Sequence, residues 1–204
     1  MKYRRYVVNF EGLEKRLGIL GEIHLYTSEE SKIAESLVDK YDHFGIEGSE
    51  KPSLYFSVLR MLILPEIYAH SVVGRSPNNA DLESLAKSKN KSVTMLEPEI
   101  EKTFSLLQKI ALFTYVAISF VSAPFTYLEL KKNRKLQKKN NWISRLSNFS
   151  IYSNIETRNK IMAQNSIAIL RKVDNLLIVC GEDHFEGLER QLRNIIDNSN
   201  RAWV

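Results

Sequence analysis

The sequence is poor in cysteine and histidine, and no strong excess of one charge runs through it. Cys180 is the only cysteine among 204 residues, so no intrachain disulfide can form and a reducing compartment, the cytoplasm, is the expected location. No long apolar run follows the basic N-terminal residues, so no secretory signal is expected. The net charge of +5 comes largely from the cluster at 131–139. The sequence therefore does not predict a general nucleic-acid-binding surface.

Length and composition are those of one ordinary globular domain. A chain of 204 residues that is 44% hydrophobic and 26% charged can build one full core and is short for two. Short apolar strands alternate with amphipathic helices along it, and no repeat of solenoid period is visible. We therefore predict a single layered α/β domain over 1–204.

Four predicted strands are followed by a residue with acid–base or metal-binding chemistry. They are Leu17–Leu20 before His24, Phe44–Ile46 before Glu47, Val93–Leu96 before Glu97, and Leu176–Cys180 before His184. Ligands of open α/β sheets collect at the carboxyl ends of the strands. Two imidazoles and two carboxylates are therefore expected around one crevice.

The phrase Gly-x-x-His occurs twice, as Gly21-Glu22-Ile23-His24 and as Gly181-Glu182-Asp183-His184. A single match carries little weight, because short motifs often match by chance. The repeat, however, follows two predicted strands and uses half of the four histidines in the chain. We expect each glycine to allow a tight turn and a close approach of the backbone to a ligand. Two histidines with a carboxylate also suit a divalent metal ion, whereas His43 and His70 are interpreted as structural or exposed.

The order of these motifs resembles the TraB/PrgY family, which is related to the Tiki proteases and more distantly to erythromycin-esterase-like and ChaN-like proteins. The resemblance covers about residues 17–196 and is weakest in the middle third. Its most specific part is an Arg-Asn-x-x-Met helix (158–162), a buried strand, and Gly-x-x-His-x-x-Gly-Leu (181–188). It implies a single α/β domain of the EreA/ChaN-like type, with a central mixed sheet flanked by helices. An apolar helix and a basic segment would be inserted at about 98–141.

The resemblance also implies roles for individual residues. His24 and His184 would be metal ligands or acid–base groups, and Glu47 would be a metal ligand or a general base. Arg158 would be catalytic and, with Asn159, would hold a substrate carboxylate or a developing oxyanion. Glu97 would be catalytic or would position the arginine.

The implied cofactor is one divalent ion, with Mn, Co, Fe and Zn as the candidates. No sulfur ligand is expected, because Cys180 lies inside a predicted strand. Both Gly-x-x-His phrases carry glutamate after the glycine, where the family usually has a small or hydroxyl residue in the first phrase. Glu22 and Glu182, with Gly21 and Gly181, are therefore secondary candidates for the site.

Two functions fit this set of residues. The first is a metal-dependent, peptidase-like hydrolase that acts on a peptide or small molecule. The second is a non-catalytic protein that binds or sequesters a peptide or signal molecule in the same pocket. A metal requirement for turnover would separate them.

Residues 110–128 form a run of 19 residues without a charge, directly before the basic cluster. The run could just span a hydrocarbon core of about 30 Å, but a single crossing would place the two Gly-x-x-His phrases on opposite sides. We predict a helix from Pro98 to Ala123, with Glu99 and Glu101 in its first turn. It would pack on the domain or in a homodimer interface, with peripheral membrane contact through 110–141 as the alternative. No aromatic residue lies in 131–139 to stack bases, so nucleic acid is not an expected partner.

Overall fold

A computed structural model describes residues 2–22, 25–26, 28–48, 54–69, 76–77, 82–97, 104–133 and 154–201. The described elements, in chain order, are β1 (Lys2–Phe10), β2 (Leu13–Glu22), β3 (Leu25–Tyr26), α1 (Ser28–Val38), β4 (His43–Ile46), α2 (Leu54–Ala69), β5 (Ser76–Pro77), α3 (Leu82–Ser88), β6 (Ser92–Met95), α4 (Leu106–Asn133), α5 (Ile155–Leu170), β7 (Asn175–Gly181), a 3-10 turn (Glu182–His184) and α6 (Phe185–Arg201).

The central sheet has five strands in the order β1-β2-β7-β4-β6. Strands β2, β7, β4 and β6 run parallel, and β1 pairs with β2 in the antiparallel sense. A separate antiparallel pair joins β3 to β5. The predicted α/β class with a mixed sheet is confirmed. The strands that precede His24, Glu47 and His184 are neighbours with the same direction, so their carboxyl ends lie along one edge.

Strand β7 is central because its side chains are apolar on both faces. Leu176, Ile178 and Cys180 pack with α5 and α6, whereas Leu177 and Val179 pack with α1 and α3. Continuous apolar sequence of this kind is typical of parallel strands covered by helices on both sides. The sheet is therefore a middle layer between two layers of helices. A hydrophobic core on each face supports β7, so the residues that follow β7 at the carboxyl end of the sheet are firmly positioned.

The long apolar helix differs from its prediction at both ends. Phe104 and Ser105 are not helical, and α4 begins at Leu106 and continues past Pro124 to Asn133. The Gln108 backbone N–H donates to Ser105 Oγ (3.3 Å), and the Ser105 N–H donates to Gln108 Oε1 (2.8 Å). This reciprocal capping box satisfies two amide groups that would otherwise lack partners, so it sets the start of the helix. The prediction of one continuous helix from Pro98 to Ala123 was wrong.

Glu189 on α6 joins the edge strand to the helical layer. Its carboxylate accepts hydrogen bonds from Tyr6 Oη (2.6 Å), Arg193 Nη2 (2.8 Å) and Arg4 Nη1. Burial by itself raises the pKa of Glu189, but these hydrogen bonds have the larger combined effect and hold it below its ordinary value.

Glu189→Gln should reduce the loss of stability in acid. Because the pKa is lower in the folded chain than in the unfolded chain, where it is about 4.3, ionised Glu189 stabilises the fold above that pH. This contribution disappears as pH falls through the folded-state pKa. Urea midpoints between pH 6 and pH 3 should therefore decline less in Glu189→Gln than in wild type. Glu156→Gln, which removes an exposed partner of Arg190, should keep the wild-type slope, and equal slopes for all three proteins would contradict the prediction.

Candidate active site

Backbone hydrogen bonds continue beyond the ends of β4 and β6 and bring two carboxylates to the same edge of the sheet. The Glu47 N–H donates to the Val179 carbonyl (2.8 Å), and the Leu96 N–H donates to the Ile46 carbonyl (2.8 Å). The Glu97 N–H then donates to the Gly48 carbonyl (3.0 Å). Glu47 and Glu97 are thus anchored through their own backbones, directly after two adjacent parallel strands.

Arg158, in the first turn of α5, lies between these carboxylates. Its Nε and Nη2 donate to the two oxygens of Glu97, each at 2.7 Å, and Nη2 also donates to Glu47 Oε1 at 2.6 Å. Arg158 is 7% exposed and Glu97 is 1% exposed. Paired, charge-assisted hydrogen bonds of this geometry fix the plane of the guanidinium as well as its position.

His184, at the end of the 3-10 turn after β7, reaches the same cluster. Its Nδ1 lies 2.7 Å from Asn159 Oδ1. Because an amide oxygen only accepts, Nδ1 carries the proton in this bond. Nε2 lies 3.6 Å from Glu47 Oε1, and Glu47 Oε2 accepts the Gly181 N–H. The imidazole is thus oriented by Asn159, with its second nitrogen turned toward Glu47.

Glycines allow the close contacts of this cluster because they carry no side chain, and Gly21, Gly181 and Gly187 have no positive φ. Gly21 lies inside β2, and Gly181 ends β7 with an ordinary φ of −59°. A Cβ at Gly21 would lie 2.8 Å from the Phe185 ring, and one at Gly181 would lie 3.3 Å from Glu47 Oε2. At Gly187 on α6 it would lie 2.1 Å from Asn159 Nδ2. A 3-10 turn follows Gly181 directly, but at neither Gly21 nor Gly181 does the backbone need a positive φ, and the physical reason for these glycines is close packing.

The described side chains carry an unbalanced charge. Glu47, Glu97 and Arg158 together leave one negative charge before His184 is counted. Burial raises the pKa of Glu97, Glu47 adds to this rise, and Arg158 offsets only part of it. Burial lowers the pKa of Arg158, but the bonds to Glu97 and Glu47 outweigh it and raise the value, so the guanidinium stays charged.

The structure brings six of the predicted residues together. Glu47, Glu97, Arg158, Asn159, Gly181 and His184 form one contiguous cluster, whereas His24 lies outside the described residues. Glu97 is buried beneath Arg158, and both of its carboxylate oxygens hold the guanidinium. Glu182 is turned toward Lys2 Nζ (3.5 Å), on the exposed side of the turn. The backbone of Glu22 pairs with Gly181, and its side chain is not among those described.

Two positions acquire roles that sequence reasoning did not assign. Asn159, predicted to bind substrate, is 1% exposed and is bonded to His184. Asn165 Nδ2 donates to the Leu96 carbonyl (2.7 Å) and fastens α5 to the residue before Glu97. Asn165 lies two helical turns after Arg158, on the same face, and this spacing was the available signal.

His43 occupies the opposite end of β4, away from this edge. Its Nε2 pairs with Thr94 Oγ1 (2.9 Å), and burial lowers its pKa. These contacts agree with the structural interpretation of His43. His70 lies outside the described residues.

The described part of the cluster fits two ligands of a divalent ion. The 3.6 Å between His184 Nε2 and Glu47 Oε1 is close to the spacing of about 3.4 Å for two ligands on a tetrahedral ion with bonds near 2.1 Å. The bond from Nδ1 to Asn159 is of the kind that orients metal-binding histidines. The described residues contain no group of three His, Cys, Asp or Glu side chains placed to hold a metal, so these two side chains do not form a complete metal site by themselves.

Comparison with known proteins identifies no relative of this chain. No family model, no curated protein and no solved structure matches this chain. The TraB/PrgY resemblance therefore rests on the motifs of the sequence.

Proposed function

We propose that the protein is a cytoplasmic, metal-dependent hydrolase of the peptidase-like type, with a peptide or small molecule as its substrate. The observation that carries the proposal is the arrangement of His184. Asn159 accepts a hydrogen bond from Nδ1 of the imidazole and so orients the ring. Nε2 of the ring faces the Glu47 carboxylate, and Arg158 is held between Glu47 and Glu97. Buried charges are costly, and burying Arg158 and Glu97 beside a part-buried Glu47 and a histidine is a weak way to gain stability. Such clusters are enriched at functional sites.

Each residue has a role in this proposal. His184, Glu47 and His24 would hold the ion, which when bound would polarise a carbonyl and favour ionisation of water. Arg158 Nη1 makes no hydrogen bond to any residue that the structure describes, and it is the donor proposed for a substrate carboxylate or a developing oxyanion. Glu97 and Asn159 act as positioning residues for Arg158 and His184.

A peptide-binding or sequestering protein is the second candidate. One observation favours it, since each oxygen of Glu47 already accepts a hydrogen bond, from Arg158 and from Gly181. Hydrogen bonds that stabilise the carboxylate reduce its strength as a base. In this case the ion-paired arginine would serve to hold the ligand, and no bond would be cleaved.

His184→Gln is expected to abolish binding of the metal ion. Protein stripped with a chelator, reloaded separately with Mn²⁺, Co²⁺, Fe²⁺ or Zn²⁺ and desalted should retain about one ion per chain, as in mononuclear sites with histidine and carboxylate ligands. The variant removes the imidazole but keeps a side chain that can bond to Asn159. Elemental analysis measures the bound ion.

His43→Gln is the matched control, because it removes a histidine at the other end of the sheet and should retain the ion. Equal metal content in wild type and His184→Gln would end the metal-dependent proposal. Turnover of a defined mixture of short peptides then separates the two candidates. Hydrolysis that needs the ion and is lost in His184→Gln supports the hydrolase, whereas ligand binding by the loaded protein without hydrolysis supports the binding protein.

A further inference from the structure

Exposed apolar side chains are concentrated on two helices. Among the described residues, four of the large exposed hydrophobic side chains lie on α2 and nine lie on α4, and only four lie elsewhere. On α4, Val121 is 69% exposed, Phe125 is 72% exposed and Leu128 is 61% exposed. Extended apolar patches of this kind mark a surface that meets another apolar phase.

The burial pattern of α4 is the reverse of that in a helix of a soluble protein. Its buried positions include Ser119, Ala123 and Thr126, whereas its phenylalanines at 113, 120 and 125 are exposed. Small residues inside and large apolar residues outside are typical of helices that pack together in lipid. The segment Leu106–Glu129 is long and apolar enough to cross a membrane, and only 22% of its most apolar window is buried. A core helix would be mostly buried.

The two helices form one surface. They pack along each other, and Tyr55 Oη in the first turn of α2 donates to the Lys109 carbonyl in the first turn of α4. A groove of about 500 Å³ runs along α4 between Phe113, Val121 and Phe125. The walls of this groove are almost wholly apolar, so they offer few hydrogen-bonding groups to a polar, water-soluble ligand.

A single membrane crossing by α4 is excluded by the site itself. Glu97 precedes α4 and Arg158 follows it, yet these two side chains are joined by hydrogen bonds of 2.7 Å. The sequence from 134 to 153 carries five lysines or arginines and no acidic residue, and each charge at the centre of a bilayer costs about 3 kcal/mol or more. This segment is therefore unsuited to a second crossing, and α4 must enter and leave the lipid on one side.

Positive charge follows the apolar surface directly. Lys131 and Lys132 in the last turn of α4 are exposed, and the sequence continues with Arg134, Lys135, Lys138 and Lys139. Basic clusters beside an apolar anchor are attracted to anionic headgroups. A second copy of this chain would bring the same charge, whereas an anionic membrane complements it.

We propose that α2 and α4 form a monotopic membrane-binding surface that inserts into one leaflet of an anionic bilayer. The exposed apolar side chains of both helices would enter the acyl boundary, and the basic cluster would lie at the headgroups. The surface is independent of the hydrolase proposal, since it uses the Glu97–Arg158 pair only as a topological constraint.

Flotation of the full chain with sealed vesicles tests this surface. The protein should float with vesicles of phosphatidylcholine containing 30% phosphatidylglycerol, and the double variant Val121→Ser/Phe125→Ser should stay at the bottom of the gradient. Val7→Ser/Leu13→Ser removes two exposed hydrophobic side chains from β1 and β2 and should float as wild type does.

Lys131→Gln/Lys132→Gln should weaken partitioning about 30-fold, since each lysine near the surface contributes about 1 kcal/mol. Trypsin added outside the vesicles should still cleave at 131–139.

Several results would overturn the proposal. Wild type that fails to float with anionic vesicles would do so, as would equal losses in the α4 variant and in the β-strand control. Protection of 131–139 from external trypsin would show that α4 crosses the bilayer. Sedimentation that finds a homodimer, converted to monomer by Val121→Ser/Phe125→Ser and unable to bind vesicles, would assign the surface to a second copy of the chain. Circular dichroism of each variant confirms that it is folded.

Discussion

Arg158→Met is expected to lower the free energy of unfolding by about 3–5 kcal/mol at pH 7, as in other proteins where one partner of a buried ion pair is removed. The variant leaves Glu97, 1% exposed, and Glu47 without the guanidinium that both of them contact. Two neighbouring carboxylates would then share a poorly hydrated site. Urea denaturation followed by circular dichroism measures the loss, which is a large fraction of the stability of an ordinary domain.

The pH dependence identifies the cause of this loss. Burial already raises the pKa of Glu97, and removal of Arg158 should raise it further. A carboxylate whose pKa is higher in the folded state stabilises the fold fully below its unfolded value of about 4.3 and loses this contribution as pH rises. The deficit of Arg158→Met should therefore be smaller at pH 4 than at pH 7.

Two further variants decide whether the missing counter-charge is responsible. Arg158→Met/Glu97→Gln should recover much of the stability, because a neutral pair avoids the isolated buried charge. Arg193→Met removes an arginine that also contacts a buried carboxylate, but its side chain is 63% exposed and Glu189 keeps Tyr6 and Arg4. That control should lose less than about 1 kcal/mol. Equal losses for the two arginine variants, or no recovery in the double variant, would refute the explanation.

The fold could be predicted where the signal is local. The apolar residues of β7 and the amphipathic helix after it follow from hydrophobicity and spacing alone. The polar residues after β4, β6 and β7 indicated one edge, because parallel strands present their carboxyl ends together. The adjacent, parallel positions of β7, β4 and β6 confirm that step.

The details of the site depend on contacts between residues far apart in the chain, which spacing does not encode. Glu97 and Arg158 are separated by 61 positions, and the bidentate geometry that buries both of them is visible only in the fold. Asn159 was grouped with Arg158 as a substrate-binding residue. The two side chains instead diverge, one toward Glu97 and the other toward His184, because successive residues of a helix point about 100° apart.

The glycines show the same limitation. In a sequence, Gly-x-x-His suggests a backbone conformation, since glycine is the residue that most readily adopts unusual φ values. At Gly21 and Gly181 the backbone is extended, and the absent side chain makes room for Phe185 and for Glu47. The sequence alone does not show whether a glycine is needed for a turn or for close contact with a distant residue. The two reasons can be distinguished only when the contacting residue is known.

Gly187→Ala is expected to destabilise the protein by about 2 kcal/mol, within the usual range for overpacking a filled space. At an ordinary helical position the same change stabilises by up to about 1 kcal/mol, because alanine has the higher helix propensity. Here the new methyl group would lie 2.1 Å from Asn159 Nδ2 and 3.2 Å from its Cγ. Asn159 is 1% exposed and is bonded to His184, so its displacement would also disturb the orientation of the imidazole. Gly181→Ala, whose Cβ would lie 3.3 Å from Glu47 Oε2, needs only a slight shift and should have a much smaller effect.

The background in which the alanine is placed tests this explanation. In Asn159→Ala the obstructing amide is absent, so adding Gly187→Ala should be neutral or stabilising through helix propensity alone. The same substitution would thus change sign between two backgrounds, which is the signature of direct contact in a double-mutant cycle. If Gly187→Ala has the same cost in both, the close approach of α6 to Asn159 is not the reason for this glycine. A cost confined to the wild-type background, together with weaker metal binding in Gly187→Ala, would show that one missing Cβ on α6 maintains the position of His184.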